Sequence, residues 1–465
     1  MEKPLSKNID PGKEPLDLKG YESTGGYQAV RKALLELEPK QVTELVKQSN
    51  LRGRGGAGFP TGIKWSFVPM AEGKPDPEKL AETLEEVDLG TRLERGGAGM
   101  AVGPKWRFAP YIDDVPYPKY LIANADEMEP GTFKDRYLLE GDPHQVVESM
   151  IVSAYAIQAS VGYIFLRWAY HEAARRLRKA IQSAYQAGYL GKDILGSGYD
   201  FDLYLHTGAG RYMAGEETGL LNSLEGKRAN PRTKPPFPQT SGLWGKPSIV
   251  NNVETLCNVP HIINKGPEWF KGLSLTEDSG TKIYGVSGKV NRPGVWELPM
   301  GTTLRELIEE HAGGMQNGLK FRGALPGGAS TDFLIEEHLD ICMDFPSVQA
   351  AGSRLGTGTI IVLDDQTCPV GFVHNLEVFF ARESCGWCTP CREGLPWSVD
   401  LLRAIEDGEG QPGDLEILDE LTKNLGPGLT FCALAPGAME PLQSALKYFR
   451  EDFERHINEG KCTWR

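Results

Sequence analysis

At 465 residues, 40% hydrophobic and 24% charged, the chain has the composition of a soluble globular protein and exceeds one ordinary core, so two to four domains are expected. A formal net charge of −13 repels nucleic-acid phosphates and anionic headgroups, which argues against both as partners. The charged segment 1–15 lacks the apolar core of a signal peptide. Three of the eight cysteines crowd into seven residues, which points to a reducing compartment and a metal or cluster site rather than a disulfide framework.

Residues 27–48 carry Val30, Leu34, Leu35, Val42, Leu45 and Val46 at helical spacing, interrupted at Pro39. A glycine-rich loop spans 52–62. Residues 119–123 read as a buried strand ending in Asn124-Ala-Asp-Glu. Helix 143–158, strand 162–166, helix 170–187, strand 201–206 and a helix from about Glu216 then alternate. That order predicts an α/β sheet with helices on both faces. Ser149 to Leu166 is the least charged run and long enough to weigh as a membrane span. Gln158, Ser160 and Gly162 break it into a buried helix and a strand instead.

The pattern changes near residue 275. Strands 282–290 and 294–298 join through Asn291-Arg-Pro-Gly294, a turn signal. Thr303-Leu-Arg-Glu306 is a capping box that opens a helix with Leu304, Leu307 and Ile308 inward, and Gly313-Gly314 stop it. This predicts a small α+β domain. From about 367 the chain turns helical. Leu442, Leu446, Phe449, Phe453 and Ile457 mark one face of a single last helix.

Cys385-Gly-Trp-Cys388-Thr-Pro-Cys391, with the remote Cys432, offers the four thiolates that a cubane iron–sulfur cluster needs. Structural zinc more often uses two separated C-x2-C pairs, and unligated core cysteines are the bland alternative. Cys257, Cys342, Cys368 and Cys462 are isolated and read as small apolar side chains or exposed thiols. The loop Gly53-Arg-Gly-Gly-Ala-Gly-Phe-Pro-Thr-Gly62 with Lys64 supplies free amides and a cation, suited to a phosphate or a flat ring. It is not the spaced glycine fingerprint of a standard dinucleotide fold. Asn124 to Gly131 places three carboxylates beyond a strand end, where α/β ligands lie. His206 to Glu217 opens a helix. There Glu216 and Glu217 are either plain N-terminal carboxylates or acceptors for ribose hydroxyls. Lys234-Pro-Pro-Phe237 and Asn251-Asn-Val-Glu-Thr255 could hold a platform and polar contacts for a flat ring.

Six strings in order, Arg-Gly-Gly-Ala-Gly-Phe (54–59), Asn-Ala-Asp-Glu-Met-Glu-Pro-Gly-Thr (124–132), Ala-Gly-Glu-Glu-Thr (214–218), Lys-Pro-Pro-Phe-Pro (234–238), Val-Asn-Asn-Val-Glu-Thr (250–255) and Glu-Ser-Cys-Gly-Trp-Cys-Thr-Pro-Cys-Arg (383–392), cover nearly the whole chain. Together they resemble the NADH-binding flavoprotein subunit of complex I. The resemblance implies a Rossmann-like FMN/NADH domain (1–272, with an insertion at 70–110), a ubiquitin-like β-grasp domain (273–366) and a C-terminal helical bundle holding a [4Fe–4S] cluster (367–465). It implies that FMN is held by Gly53, Arg54, Gly55 and Gly56, then Lys64, Asn124, Asp126, Tyr212, Gly215, Glu216, Asn251, Asn252 and Thr255. NADH would meet Phe59, Lys64, Phe67, Glu127, Glu129, Glu217, Lys234 and Phe237, and Cys385, Cys388, Cys391 and Cys432 would bind the cluster. No catalytic acid or base is assigned.

The implied neighbours are a small [2Fe–2S] subunit and a large multi-cluster iron–sulfur subunit, in the peripheral arm of a membrane complex on the cytoplasmic side of the inner membrane. The chain itself would neither enter the membrane nor touch nucleic acid. Electrons would travel onward to quinone through those partners. A diaphorase subunit of an NAD-linked hydrogenase or formate dehydrogenase is the nearest rival, and a zinc-stabilised, non-redox assembly module is a rival of another class. Diaphorase relatives often carry further cluster modules, and no other C-x2-C run follows Cys432.

Two departures from the family stand out. Position 214 is Ala where many relatives have Cys. Within the insertion, Arg54-Gly-Gly-Ala-Gly58 recurs as Arg95-Gly-Gly-Ala-Gly99, 41 residues on, and the match continues through Lys64/Lys105, Trp65/Trp106, Phe67/Phe108 and Pro69/Pro110. This reads as a tandem duplication. The first copy keeps Gly53 and Phe59 where the second has Glu94 and Met100, so the first is the expected flavin loop and 71–104 a surface excursion. In favour of the second copy, it leads directly into strand 119–123.

Overall fold

The computed structural model describes residues 2–71, 111–112 and 115–464, so the second glycine-rich copy and nearly all of the expected excursion lie outside the described residues. Two compact units emerge: Met1–Met128 with Lys134–Thr281, and Glu129–Phe133 with Lys282–Arg465.

The first unit is built on a four-stranded sheet in the order Asp202–Thr207, Val161–Leu166, Tyr120–Ala125, Ser248–Asn252, every neighbouring pair parallel. Strands buried on both faces must be apolar throughout, and Val161–Leu166 is buried at all six positions. One face packs Tyr120, Ile122, Val161, Tyr163 and Phe165 against Leu220, Leu221 and Leu224 of helix Glu217–Leu224. The opposite face meets helix Pro143–Ala156: a Cβ at Gly162 would lie 3.1 Å from the Met150 methyl. Helices therefore cover both faces, as the alternation predicts.

The expected helix 27–48 is two helices, Gln28–Glu36 and Pro39–Gln48. Pro39 has no amide to donate and suits the first turn of the second. The low-charge run forms buried Pro143–Ala156, capped by the Asp142 carboxylate accepting from Gln145 N, followed by strand Val161–Leu166. No helix among the described residues is long and apolar enough to cross a membrane.

The second unit contains a mixed sheet in the order Gly294–Pro299, Thr281–Gly288, Thr359–Asp364, Phe321–Leu325, with the middle pair parallel. The capping box forms as read: Thr303 Oγ1 accepts from Glu306 N at 3.2 Å and the Glu306 carboxylate from Thr303 N at 2.8 Å. Leu304, Leu307 and Ile308 enter the core beneath this sheet, an arrangement of the β-grasp type. Helices Pro369–Glu383, Thr389–Glu406, Asp414–Asn424, Leu434–Tyr448 and Arg450–Glu459 follow. The single last helix expected over 442–457 is broken at Phe449, whose backbone (φ −125°, ψ 19°) is not helical. The Phe449 ring packs edge-on to Phe333 at 5.2 Å, so the apolar period survives across two helices that share one core.

Helix Lys134–Gly141 and helix Val253–Lys265 of the first unit are joined by a buried charge cluster. The Lys134 ammonium, its side chain 1% exposed, lies 2.7 Å from Asp135 and 2.8 Å from Glu254, whose side chain is fully buried. Removing the cation takes from two buried carboxylates the ammonium they share, a change that costs about 3–5 kcal/mol. Lys134→Met should therefore lower the first thermal transition by on the order of 10 °C. A shift within the error of the melt would show that the lysine charge is not needed there.

Candidate functional site

In the first unit's sheet, 120–125 and 248–252 are adjacent while the intervening chain builds outward on the far side of 120–125. This is a topological switch point, and a crevice opens beyond the carboxyl ends of the two strands. Register pairs Ala123 with Asn251 and Asn124 with Asn252, so three side-chain amides converge there. The crevice is a cavity of about 960 Å³ lined by Gly53, Gly55, Phe59, Lys64, Phe67, Asn124, Gly215, Glu216, Glu217, Lys234, Phe237, Asn251, Asn252 and Thr255. Segments more than 200 residues apart in sequence thus form one wall.

The glycine loop is pinched at its base by Gly53 N donating to Phe59 O at 2.9 Å and Thr61 N to Leu51 O at 2.8 Å. It is tied to the switch point by Arg54 N donating to Thr255 Oγ1 at 2.7 Å. A Cβ at Gly55 would sit 2.9 Å from the Asn252 Cβ, so only glycine lets the loop approach this closely. Phe59, Phe67 and Phe237 stand 49%, 55% and 53% exposed, three large rings facing open space at the cavity rather than a core.

Four charges sit on one side of the cavity. Lys64 Nζ lies 2.8 Å from Glu217 and donates to Val250 O at 2.9 Å. Lys234 Nζ reaches Glu216 at 3.1 Å and Glu217 at 2.9 Å. Burial alone would raise the Glu217 carboxyl, but Lys64 and Lys234 outweigh it and hold the group at about 2. The two glutamates differ in role. Glu216 caps helix Glu217–Leu224, accepting from Thr218 N and Gly219 N, each at 2.8 Å. Glu217 is held by lysines alone and faces the cavity.

Other sequence candidates are placed elsewhere. The Arg54 guanidinium is fully buried and donates to Ser279 O at 2.6 Å and Thr281 O at 3.2 Å, so its charge supports the loop from behind. Glu127 is buried. Its carboxylate accepts from Asp135 N at 2.8 Å, Arg136 N at 3.1 Å and the Tyr170 hydroxyl at 3.0 Å, and burial beside Asp135 raises its pKa. Glu129 belongs to the second unit, where it accepts from Ser330 N at 2.6 Å. Gly56 (φ +124°) shapes the loop, and Asp126 and Tyr212 are likewise absent from the cavity wall. Sequence reading missed Ala57, Gly58, Gln239, Thr240 and Val250 in the wall. It also missed Trp65, whose Nε1 donates to Asn251 Oδ1 at 2.9 Å, and Lys134, Asp135 and Glu254 behind Asn252. Lys134 follows the acidic loop directly, and Glu254 lies inside a quoted string. A buried charge partner leaves no further mark on sequence.

In the second unit, Cys388 precedes helix Thr389–Glu406 and Cys391 lies in its first turn. Burial, with the Cys388, Cys432 and Cys385 sulfurs close by, pushes the Cys391 thiol up to about 12. The four sulfurs therefore share one neighbourhood, although Cys432 comes from a separate segment before helix Leu434–Tyr448. Trp387 and Phe431 flank them with ring centroids 6.3 Å apart. Cys257 is buried, as expected of a small apolar side chain. Cys368 and Cys462 are not isolated: with Glu406 and His456 they bring four ligand atoms within 4.8 Å of one another, a convergence that a 94-residue separation concealed.

Three family models match the chain: the Nuo51 FMN-binding domain over 92–261, the SLBB domain over 283–333, and the NADH-ubiquinone oxidoreductase-F iron-sulfur binding region over 371–456. The first match starts near the second glycine-rich copy, whereas the cavity is lined by the first. Solved NAD+-reducing [NiFe]-hydrogenase in the H2-reduced state is similar at a TM-score of 0.75 and 31% identity, over 96% of this chain and 67% of that one. The F subunit of NADH-quinone oxidoreductase in Streptomyces coelicolor is 44% identical over 96% of this chain and 89% of its own. The F subunits of the same oxidoreductase in Salmonella typhimurium and Escherichia coli are each 55% identical over 98% of this chain and 93% of theirs. Identity at that level along almost the entire sequence means that the chain belongs to the family of NADH-quinone oxidoreductase F subunits.

Proposed function

We propose that this chain oxidises NADH at FMN held in the switch-point cavity and passes single electrons to a [4Fe–4S] cluster on Cys385, Cys388, Cys391 and Cys432, for onward delivery to quinone. The observation that carries this reading is the cavity itself, a glycine-cradled crevice with three half-exposed aromatic rings and a balanced quartet of charges. Its volume of about 960 Å³ and its close backbone approach at Gly55 fit a flat flavin ring. Four neighbouring thiols, with two ligands at a helix start, fit a cubane cluster. When bound, FMN accepts a two-electron hydride and gives electrons up singly, the form in which a cluster takes them.

The chain's own residues position and select. Phe59, Phe67 and Phe237 offer faces against which flat rings stack, at a small cost in side-chain entropy. Asn251, fixed by Trp65, and Asn252, fixed by Asp135, present amides at the strand ends. Lys64 and Lys234 keep Glu217 ionised and in place. Orienting the donor against the acceptor supplies much of the rate without a catalytic acid or base.

The division into domains 1–272, 273–366 and 367–465 belongs to this reading, as does the peripheral arm on the cytoplasmic side of an inner membrane, with a small [2Fe–2S] subunit and a large multi-cluster subunit as neighbours. Trp387, Leu429 and Phe431, 59%, 58% and 40% exposed beside the cluster cysteines, suit a surface that another protein chain covers. A hydrogenase diaphorase role is favoured by the 31% likeness to the NAD+-reducing hydrogenase. The 55% identity to the F subunits outweighs it.

Two experiments test the redox reading and its cluster ligands. The purified protein should show flavin and iron–sulfur bands that NADH bleaches, and colourless protein would end the redox reading. Cys388→Ser should lose the cluster's EPR signal and most iron while keeping FMN and NADH-dependent ferricyanide reduction. An unchanged signal would overturn the ligand assignment.

The first glycine copy is proposed as the working one because its residues line the cavity. Lys64→Ala should then impair FMN retention or NADH oxidation, with Lys105→Ala nearly silent. The reverse pattern would transfer the site to the second copy.

Glu217 sets coenzyme choice in this reading. A 2′-phosphate near a carboxylate meets repulsion of a few kcal/mol at an effective dielectric of about 20. Glu217→Gln leaves Lys64 and Lys234 in excess, so kcat/KM for NADPH relative to NADH should rise roughly tenfold or more. A group held near 2 stays ionised throughout pH 5–8, so any drift of the wild-type preference across that range should follow the 2′-phosphate, whose second pKa is about 6, with NADPH disfavoured more as pH rises. An unmoved ratio in the variant would place the discrimination elsewhere.

A further inference from the structure

Cys368, Glu406, His456 and Cys462 come from four separate places in the second unit. Cys368 precedes helix Pro369–Glu383, Glu406 ends helix Thr389–Glu406, His456 lies in helix Arg450–Glu459, and Cys462 follows that helix. Their ligand atoms all lie within 4.8 Å of one another. Cys368 Sγ is 3.3 Å from Glu406 Oε2 and 3.3 Å from His456 Nε2, and those two are 3.4 Å apart. Tetrahedral zinc, with bonds of about 2.3 Å to sulfur and 2.0–2.2 Å to nitrogen or oxygen, places its ligand atoms about 3.3–3.8 Å from each other. Cys368, Glu406 and His456 have the spacing of a coordination shell, and Cys462 Sγ lies within 4.8 Å of each of them.

The surroundings support the same reading. His456 Nδ1 lies 2.6 Å from Asp452 O, and a carbonyl only accepts, so Nδ1 carries a proton and Nε2 is the ring atom left facing Cys368 and Glu406. Gly371 N donates to Cys368 Sγ at 3.4 Å, which fixes the sulfur at a helix start. His456 is fully buried and Glu406 and Cys462 nearly so, at 5% and 9% exposure. Two sulfurs, a carboxylate and an imidazole gathered in one buried place form a donor set that a cation can join. Gly408 also presses against the Gly460 carbonyl, where a Cβ would lie 2.2 Å away, so the backbone holds the Glu406 helix end close to the turn leading to Cys462.

We propose that Cys368, Glu406, His456 and Cys462 bind one zinc ion, distinct from the four-cysteine cluster site. Two sulfurs, one nitrogen and one oxygen in a tetrahedral arrangement select zinc among common divalent ions. Its place in the fold gives it a task. Helices Pro369–Glu383 and Thr389–Glu406 form a hairpin whose closed end is the loop carrying Cys385 and Cys388. Cys368 and Glu406 lie at the open end, about 22 Å away along fifteen residues of helix. The ion clamps that open end and ties the last helix and Cys462 to it, fixing the two elements that present the cluster ligands.

Metal analysis of the intact, FMN- and cluster-replete protein, grown with added zinc, tests this. We expect about four iron and about one zinc per chain. Zinc X-ray absorption should show two sulfurs at about 2.3 Å and two nitrogen or oxygen atoms at about 2.0 Å. Cys368→Ser/Cys462→Ser and His456→Gln should lose the zinc and retain the iron. Zinc below about 0.2 per chain, a shell of four sulfurs showing zinc in the cluster site, or a Cys368–Cys462 disulfide would each overturn the proposal. The absorption measurement on the unaltered protein decides the matter if the variants do not fold.

Discussion

The Lys134 ammonium, held between Asp135 and Glu254, is the interaction on which the cavity's rear wall depends. Glu254 opens helix Val253–Lys265, and Asp135 opens helix Lys134–Gly141. Asn252 is drawn into the same group, its amide donating to Asp135 at 2.6 Å. The Gly55 backbone rests directly on Asn252. A charge buried this deeply survives only when paired, so the pairs dictate where two helices begin and where the glycine loop settles. Glu127 adds to this by accepting from the first amides of helix Lys134–Gly141.

Against that rigid wall the opposite side of the cavity is electrostatic. Lys64, Lys234, Glu216 and Glu217 sum to zero, yet their geometry separates their duties. Glu216 stabilises a helix start, which fixes the neighbouring Glu217. Glu217 is then held by two ammonium groups in a partly desolvated place, where it remains charged and close to any ligand. Structure and selectivity share adjacent residues because a helix N-terminus both needs a carboxylate and offers one to solvent.

The second unit divides its cysteines between two arrangements. Three thiols on one short loop are joined by a fourth from a distant turn at one end of a helical hairpin. Two more meet a histidine and a glutamate at the hairpin's other end. Helices are stiff along their axes, so constraints at both ends of a hairpin reinforce each other more than two constraints at one end.

Local chemistry made much of this protein legible from sequence. Short continuous apolar runs marked the parallel strands, and apolar spacing of period 3.6 marked helices. Thr303 and Glu306 announced a helix start, and the C-x2-C-x2-C run announced a cluster. The glycine loop, the Lys-Pro-Pro-Phe string and the paired asparagines pointed to one flat ligand. The tertiary structure decided what depends on convergence. It turned the Arg54 guanidinium and the Glu127 carboxylate away from the cavity to buried backbone partners, brought Trp65 to Asn251, and broke the last helix in two at Phe449. It gathered Cys368, Glu406, His456 and Cys462, which nothing in their spacing connects. Periodicity and turns are encoded by neighbours in the chain, so sequence displays them. A buried ion pair or a ligand shell is a relation between side chains far apart in sequence, which only the folded backbone brings within reach.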